Sequence, residues 1–113
     1  AKTKSIKSLA RHVMRGDFDP ANFYHQSNEE ITGALTKVWG IGEWSAQMHL
    51  IFSLGRLDVW PVLDLGVRSG WAKFQRCKPP TAKELFPLGD SYRPYRSVAA
   101  WYMWRVHDVE DWG

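Results

Sequence analysis

The stretch VWGIGEWSAQ, Val38 to Gln47, sets Gly40 and Gly42 on either side of Ile41 between two apolar segments. Such a turn at the start of a helix directs free backbone N–H groups and the positive end of the helix dipole outward, which suits an anion. Glycines let the backbone enter positive φ and approach another surface closely. The turn could therefore hold a nucleic-acid phosphate without reading any base. A plain helical hairpin closed by a glycine turn has the same spacing. Other chemistry-bearing residues are sparse. Cys77 is the sole cysteine, which excludes an intrachain disulfide and a cysteine-ligated zinc or iron–sulfur cluster and fits a reducing compartment. His25, His49 and His107 are isolated, show no metal-ligand spacing and carry no assigned role.

Helical periodicity positions these residues. Ile6, Leu9, Ala10, Val13 and Met14 keep helical spacing across Lys4 to Arg15, and Gly16 supplies a stop. DFDPANFYHQ reads as a loop or turn with Pro20 as a breaker. Ser27 and Glu30 form a capping box for a helix bearing Ile31, Leu35 and Val38, and helical spacing resumes from Ser45 to Leu54. Asp64 can cap a helix through Val67, Trp71 and Phe74, and Thr81 with Glu84 repeats the capping box. A last helix is expected to open near Pro94 and run to about His107. Strand-like alternation is scarce, so the expected fold class is all-α. At 113 residues the expectation is one helical domain over 1–113, with a helix-hairpin-helix near 31–54, an aspartate-bearing loop and helix over 60–75, and the last helix over 94–107. The net charge of +3 fits an anionic partner, and no apolar run reaches the length of a membrane span.

The order of motifs carries a resemblance. LTKVWGIGEWSAQ resembles the helix-hairpin-helix of the base-excision DNA glycosylase superfamily. WPVLDLGVR, whose aspartate lies 22 residues beyond Gly42, is similar to the segment that follows the hairpin there. YRPYRSVAAWYMWR is similar to the last helix of the alkylation-repair branch, the DNA-3-methyladenine glycosylase II type. The resemblance covers Lys2 to about Arg105 and implies a monofunctional glycosylase that hydrolyses the N-glycosidic bond of alkylated bases in double-stranded DNA. It assigns Asp64 as the catalytic carboxylate. A fixed anion stabilises the positive charge that develops on the sugar, and it can orient or deprotonate the attacking water. Trp44 stands where lyase members carry a Schiff-base lysine, which places the chain with the monofunctional branch. The resemblance further implies that Trp44 and Trp104 stack on the extruded base, with Met48 and Leu65 completing the pocket. From the residues alone, Asp64 reads first as a helix cap, and the tryptophans read as core residues.

Gly40, Ile41, Gly42 and Ser45 are the implied DNA-anchoring positions, with Arg68, Lys73, Arg93 and Arg96 as candidate phosphate contacts. No cofactor is required, although family hairpins hold Na+ or K+ on backbone carbonyls, which here would be those of Thr36, Val38 and Ile41. The chain departs from the family at Leu63, where a second aspartate is usual, at Trp39, where the hairpin proline is usual, and at Glu43, whose carboxylate should weaken DNA affinity. The resemblance reaches the C-terminal half of the glycosylase domain. Apolar faces are therefore expected to be exposed and covered by self-association or by an N-terminal segment. The alternative readings are a truncated, non-catalytic DNA-binding hairpin module and an interaction remnant. A glycosylase would work in the cytoplasm, nucleoid-associated in a bacterium, or in a nucleus, with no membrane role.

Overall fold

Several helices of this chain begin where a side chain accepts their first free N–H groups. The computed structural model describes residues 2–16 and 19–110, and among these the regular elements are all helical. They are α1 (Lys2–Met14), α2 (Asn28–Leu35), α3 (Glu43–Phe52), α4 (Leu65–Gln75), α5 (Ala82–Leu88) and α6 (Arg96–Asp108), with 3-10 turns at Pro20–His25 and Gly89–Tyr92. Asp17 and Phe18, part of the expected turn, lie outside the described residues. The chain divides into two compact units, Ala1–Leu54 and Gly55–Gly113.

In the first unit α2 opens with the expected capping box. Glu30 N–H donates to Ser27 Oγ and Ser27 N–H to Glu30 Oε1, both at 3.1 Å. Helix α2 buries Ile31 and Leu35, with Val38 buried just beyond its end, while α3 buries Ala46, Leu50 and Ile51 and packs on α2. Each large aliphatic side chain so buried contributes about 1.5–3 kcal/mol. Helix α1 behaves differently from its periodicity. Its one buried residue is polar, Ser8, whose Oγ accepts from Trp39 N–H at 2.9 Å. Ile6 and Met14 on α1 face solvent. Leu9 and Val13 border a pocket of about 330 Å³ with Phe23, Leu35, Ile41 and His49.

In the second unit the core gathers Trp60, Val67, Leu85, Ala100 and Met103. The Trp60 indole N–H donates to the Leu85 carbonyl at 3.0 Å, which satisfies the polar edge of a buried ring. Helices α4 and α6 pack so closely that a Cβ at Gly70 would overlap the Met103 carbonyl. Thr81 and Glu84 form the second expected capping box. Helix α6 starts at Arg96, two residues beyond Pro94, and just before it the Tyr95 N–H closes a turn onto the Tyr92 carbonyl at 2.7 Å. Ser97, Ala100, Met103 and Val106 form its buried stripe, and Trp101 and Tyr102 stay exposed.

A clamp at the start of α6 fixes the segment leading to Asp64. Ser97 Oγ donates to the Arg56 carbonyl at 2.7 Å and accepts from Val59 N–H at 2.8 Å, while Ser97 N–H donates to the Leu57 carbonyl at 2.9 Å. Arg96 Nε donates to Asp58 Oδ1 at 2.7 Å. The Arg96 guanidinium hydrogen bond holds the Asp58 carboxyl below its ordinary value, outweighing the opposing effect of burial. A carboxyl with a depressed folded pKa stabilises the fold above its unfolded value, near pH 4, and loses that contribution as pH falls through the folded value. The melting temperature is therefore expected to fall below about pH 4, and Asp58→Asn to flatten that acid limb. An acid limb as steep in the variant as in the native chain would refute the assignment.

Candidate functional site

In the first unit the hairpin occupies residues 36–42 between α2 and α3. Thr36 ends α2, its hydroxyl donating to the Thr32 carbonyl at 2.8 Å, and Ile41 N–H donates to the Val38 carbonyl at 3.1 Å. The two glycines differ. Gly40 has φ +89°, and a Cβ there would strike Ser5 Oγ of α1. Gly42 has φ −94°, a conformation open to any residue, and a Cβ there would meet nothing within 4 Å. The expectation of positive φ thus holds at Gly40 and not at Gly42. Gly42 is the N-cap of α3, and with no side chain it leaves the start of that helix without a side-chain cap. Glu43, Trp44 and Ser45 make the first turn, all exposed, with Trp44 at 47%. Met48 one turn further is half-buried. The anion-attracting end of α3 therefore opens to solvent, with a tryptophan and a carboxylate beside it.

In the second unit Asp64 is the N-cap of α4, and its Oδ2 accepts from Val67 N–H at 2.9 Å. The same Oδ2 accepts from the Trp104 indole N–H at 2.6 Å. Helix capping and site geometry coexist on one carboxylate: the cap fixes its position along α4, and Trp104 fixes its direction from α6. Trp104 is half-buried and packs against the core cluster, so its ring is held by packing while its N–H faces the carboxylate. A Cβ on Gly66 would approach Trp104 Cδ1 at 2.9 Å and Asp64 Oδ2 at 3.1 Å, so the missing side chain leaves room for this contact. Gly66 was not singled out in the sequence. A glycine in the first turn of a helix, where it lowers helix stability, was the available signal. Leu65 is 66% exposed and contributes nothing to the core.

The candidate phosphate contacts separate. Lys73 Nζ donates to the carbonyls of His107 and Val109 at 3.0 and 2.9 Å, closing the end of α6. Arg96 is bound to Asp58, and Arg93 lies 3.1 Å from Asp90 and 3.6 Å from Asp58. These three cations are engaged within the protein, so the expectation that they meet DNA loses its support. Arg68 keeps a buried Nε with no hydrogen-bond partner.

The carbonyls of Thr36, Val38 and Ile41 are neutral oxygens, the donor type a monovalent cation takes. That of Val38 already accepts from Ile41 N–H and retains a second lone pair, which fits a monovalent cation. Among the described residues no group of three or more His, Cys, Asp or Glu could hold a metal, and no helix is long and apolar enough to cross a membrane.

No family model matches the chain. Individual proteins do. DNA-3-methyladenine glycosylase 1 of Schizosaccharomyces pombe is 37% identical over 113 residues, covering 98% of this chain and 50% of that protein. The solved 3-methyladenine DNA glycosylase of Schizosaccharomyces pombe, in complex with abasic DNA, superposes with a TM-score of 0.87 over 97% of this chain and 54% of its own. The DNA-3-methyladenine glycosidase of Bacillus halodurans is 32% identical, also with a TM-score of 0.87, over 96% of this chain and 50% of its own. The chain thus spans about half the length of each of these relatives. With the hairpin and the capping aspartate both in place, it belongs to the helix-hairpin-helix DNA glycosylase superfamily and corresponds to the C-terminal half of its 3-methyladenine members.

Proposed function

We propose that the chain carries the catalytic and strand-anchoring half of a monofunctional glycosylase that hydrolyses the N-glycosidic bond of alkylated bases in duplex DNA. The observation that carries this reading is the Asp64 carboxylate held by Val67 N–H and the Trp104 indole N–H. Bond cleavage places positive charge on the sugar, and a carboxylate already fixed in direction stabilises it without reorganising at the moment of reaction. The same group orients the attacking water. An alkylated purine already carries positive charge and leaves readily, so one carboxylate suffices and Leu63 in place of a second is tolerated. Trp44 presents an exposed indole that can stack on an extruded cationic base, and a tryptophan there cannot form a Schiff base. The exposed start of α3 would take a backbone phosphate. Na+ or K+ on the hairpin carbonyls of Thr36, Val38 and Ile41 would add positive charge beside that phosphate.

Trp104 serves here as a positioning residue. Trp104→Phe keeps the packing and removes the N–H, a hydrogen bond to a charged acceptor worth about 1.5–3 kcal/mol, so kcat should fall roughly 10–100-fold. KM should change little. An unchanged kcat would mean that the ring alone matters.

The exposed residues Ile6 and Met14 of α1, and Trp101 and Tyr102 of α6, would be covered by the other half of a glycosylase domain or by a second copy. A concentration-independent monomer in sedimentation would count against self-association. Such an enzyme acts where chromosomal DNA lies, in a nucleoid or a nucleus. The primary test is base release from methylated duplex DNA, read by chromatography of the free base. Salt-sensitive binding without release would favour a non-catalytic DNA-binding module instead.

A further inference from the structure

Helix α1 is strongly basic and lies against the hairpin. Its sequence, KTKSIKSLARHVM, contains Lys2, Lys4, Lys7 and Arg11 and no acidic residue. Those cations outnumber the net charge of +3 carried by the whole chain, so the rest of the protein is close to neutral. Three contacts join α1 to the turn. Ser8 Oγ accepts from Trp39 N–H at 2.9 Å. The Ser5 hydroxyl occupies the space a Cβ would need at Gly40. Lys4 Nζ lies 4.4 Å from the centroid of the Trp39 ring, close enough for a cation–π attraction.

Lys4, Lys7 and Arg11 recur at intervals of three and four residues, so they share one side of α1, and all three are exposed. From Lys4 at the hairpin, the stripe extends about 10 Å along the helix axis. At a rise of about 3.4 Å per nucleotide, that length covers about three nucleotide steps of one strand, enough for each of the three cations to face a phosphate of its own. Charge, exposure and continuity with the hairpin point to one partner, a nucleic-acid backbone.

We propose that Lys4, Lys7 and Arg11 of α1 form a phosphate-tracking strip that continues the hairpin's hold along one DNA strand. The proposal rests on the reading of the hairpin as a DNA anchor. It assigns the electrostatic share of binding to α1, in place of Lys73, Arg93 and Arg96, which are engaged within the protein. Trp39, where family hairpins carry proline, has a role in this arrangement: its ring holds Lys4 beside the turn.

The test is fluorescence anisotropy of the full chain with a labelled duplex across a potassium chloride series. Each phosphate contact contributes about −0.9 to the slope of log Kobs against log salt. The double variant Lys7→Gln with Arg11→Gln, which keeps the Lys4–Trp39 contact, should have a slope shallower by about 1.8. Adding Lys4→Gln should bring the loss to about 2.7. A control triple, Lys78→Gln, Lys83→Gln and Arg105→Gln, removes the same charge from the second unit and should leave the slope within about one contact of native. Slopes unchanged in the α1 variants, with native binding intact, would overturn the strip and leave the hairpin anchor standing. An equal loss in the control would reduce the effect to net charge and also overturn the strip. A native chain without salt-dependent binding would overturn both the strip and the DNA-anchoring reading.

Discussion

Asp64→Asn should abolish measurable base release from methylated duplex DNA while leaving the fold and DNA binding in place. Asparagine caps a helix about as well as aspartate, and its side-chain oxygen can still accept from Val67 N–H and from the Trp104 indole. What it removes is the negative charge that the proposed mechanism sets against the developing sugar cation. Loss of one preorganised electrostatic contact to a transition state costs roughly 10²–10³-fold in rate, and here the lost group is a full charge, so the effect should reach at least that range. Single-turnover release at matched DNA occupancy measures the chemical step, and a circular-dichroism melt verifies the fold. Release within about threefold of native would reduce Asp64 to a helix cap.

The second large effect concerns stability. Gly70→Ala would place a methyl group where the Met103 carbonyl already lies. The Cβ is fixed by the α4 backbone and the carbonyl belongs to the α6 backbone, so no rotamer change relieves the overlap and α4 must move away from α6. Overpacking of this kind costs about 1–3 kcal/mol and sometimes more, and a backbone collision belongs at the upper end. The melting temperature should fall by about 10 °C or more. Because Trp104 follows Met103 and Asp64 caps α4, the same displacement should lengthen the indole–carboxylate hydrogen bond and lower any glycosylase rate. Gly33→Ala in α2 is the matched control, since a Cβ there meets nothing within 4 Å and helical alanine is favoured over glycine by about 0.5–1 kcal/mol. Equal melting temperatures for the two variants would contradict the close approach of α4 and α6.

Features encoded within three or four residues were legible in the sequence. Both capping boxes, the Asp64 cap and the hairpin between α2 and α3 follow from local hydrogen-bonding chemistry that neighbouring residues settle between themselves. Features that depend on distant partners were not. The Trp104–Asp64 bond joins residues 40 apart, and neither neighbourhood names the other. The internal partners of Lys73 and Arg96 were hidden for the same reason: a solvated cation and one bound to a distant carbonyl or carboxylate look alike in sequence. Periodicity also overstated α1, whose apolar spacing is regular although Ile6 and Met14 remain in solvent. An amphipathic pattern records what a helix offers for burial and not what covers it.

The two hairpin glycines answer to different selectors. Position 40 is constrained from inside, by a backbone angle and by the serine of α1 behind it. Position 42 is constrained by nothing in the folded chain, since its dihedral and its surroundings would both admit a methyl group. In a saturation library, folding alone would purge variants at 40, while those at 42 would survive until the screen demanded that a strand be bound. One glycine thus belongs to the protein's architecture, and the other answers only to the proposed strand-anchoring role.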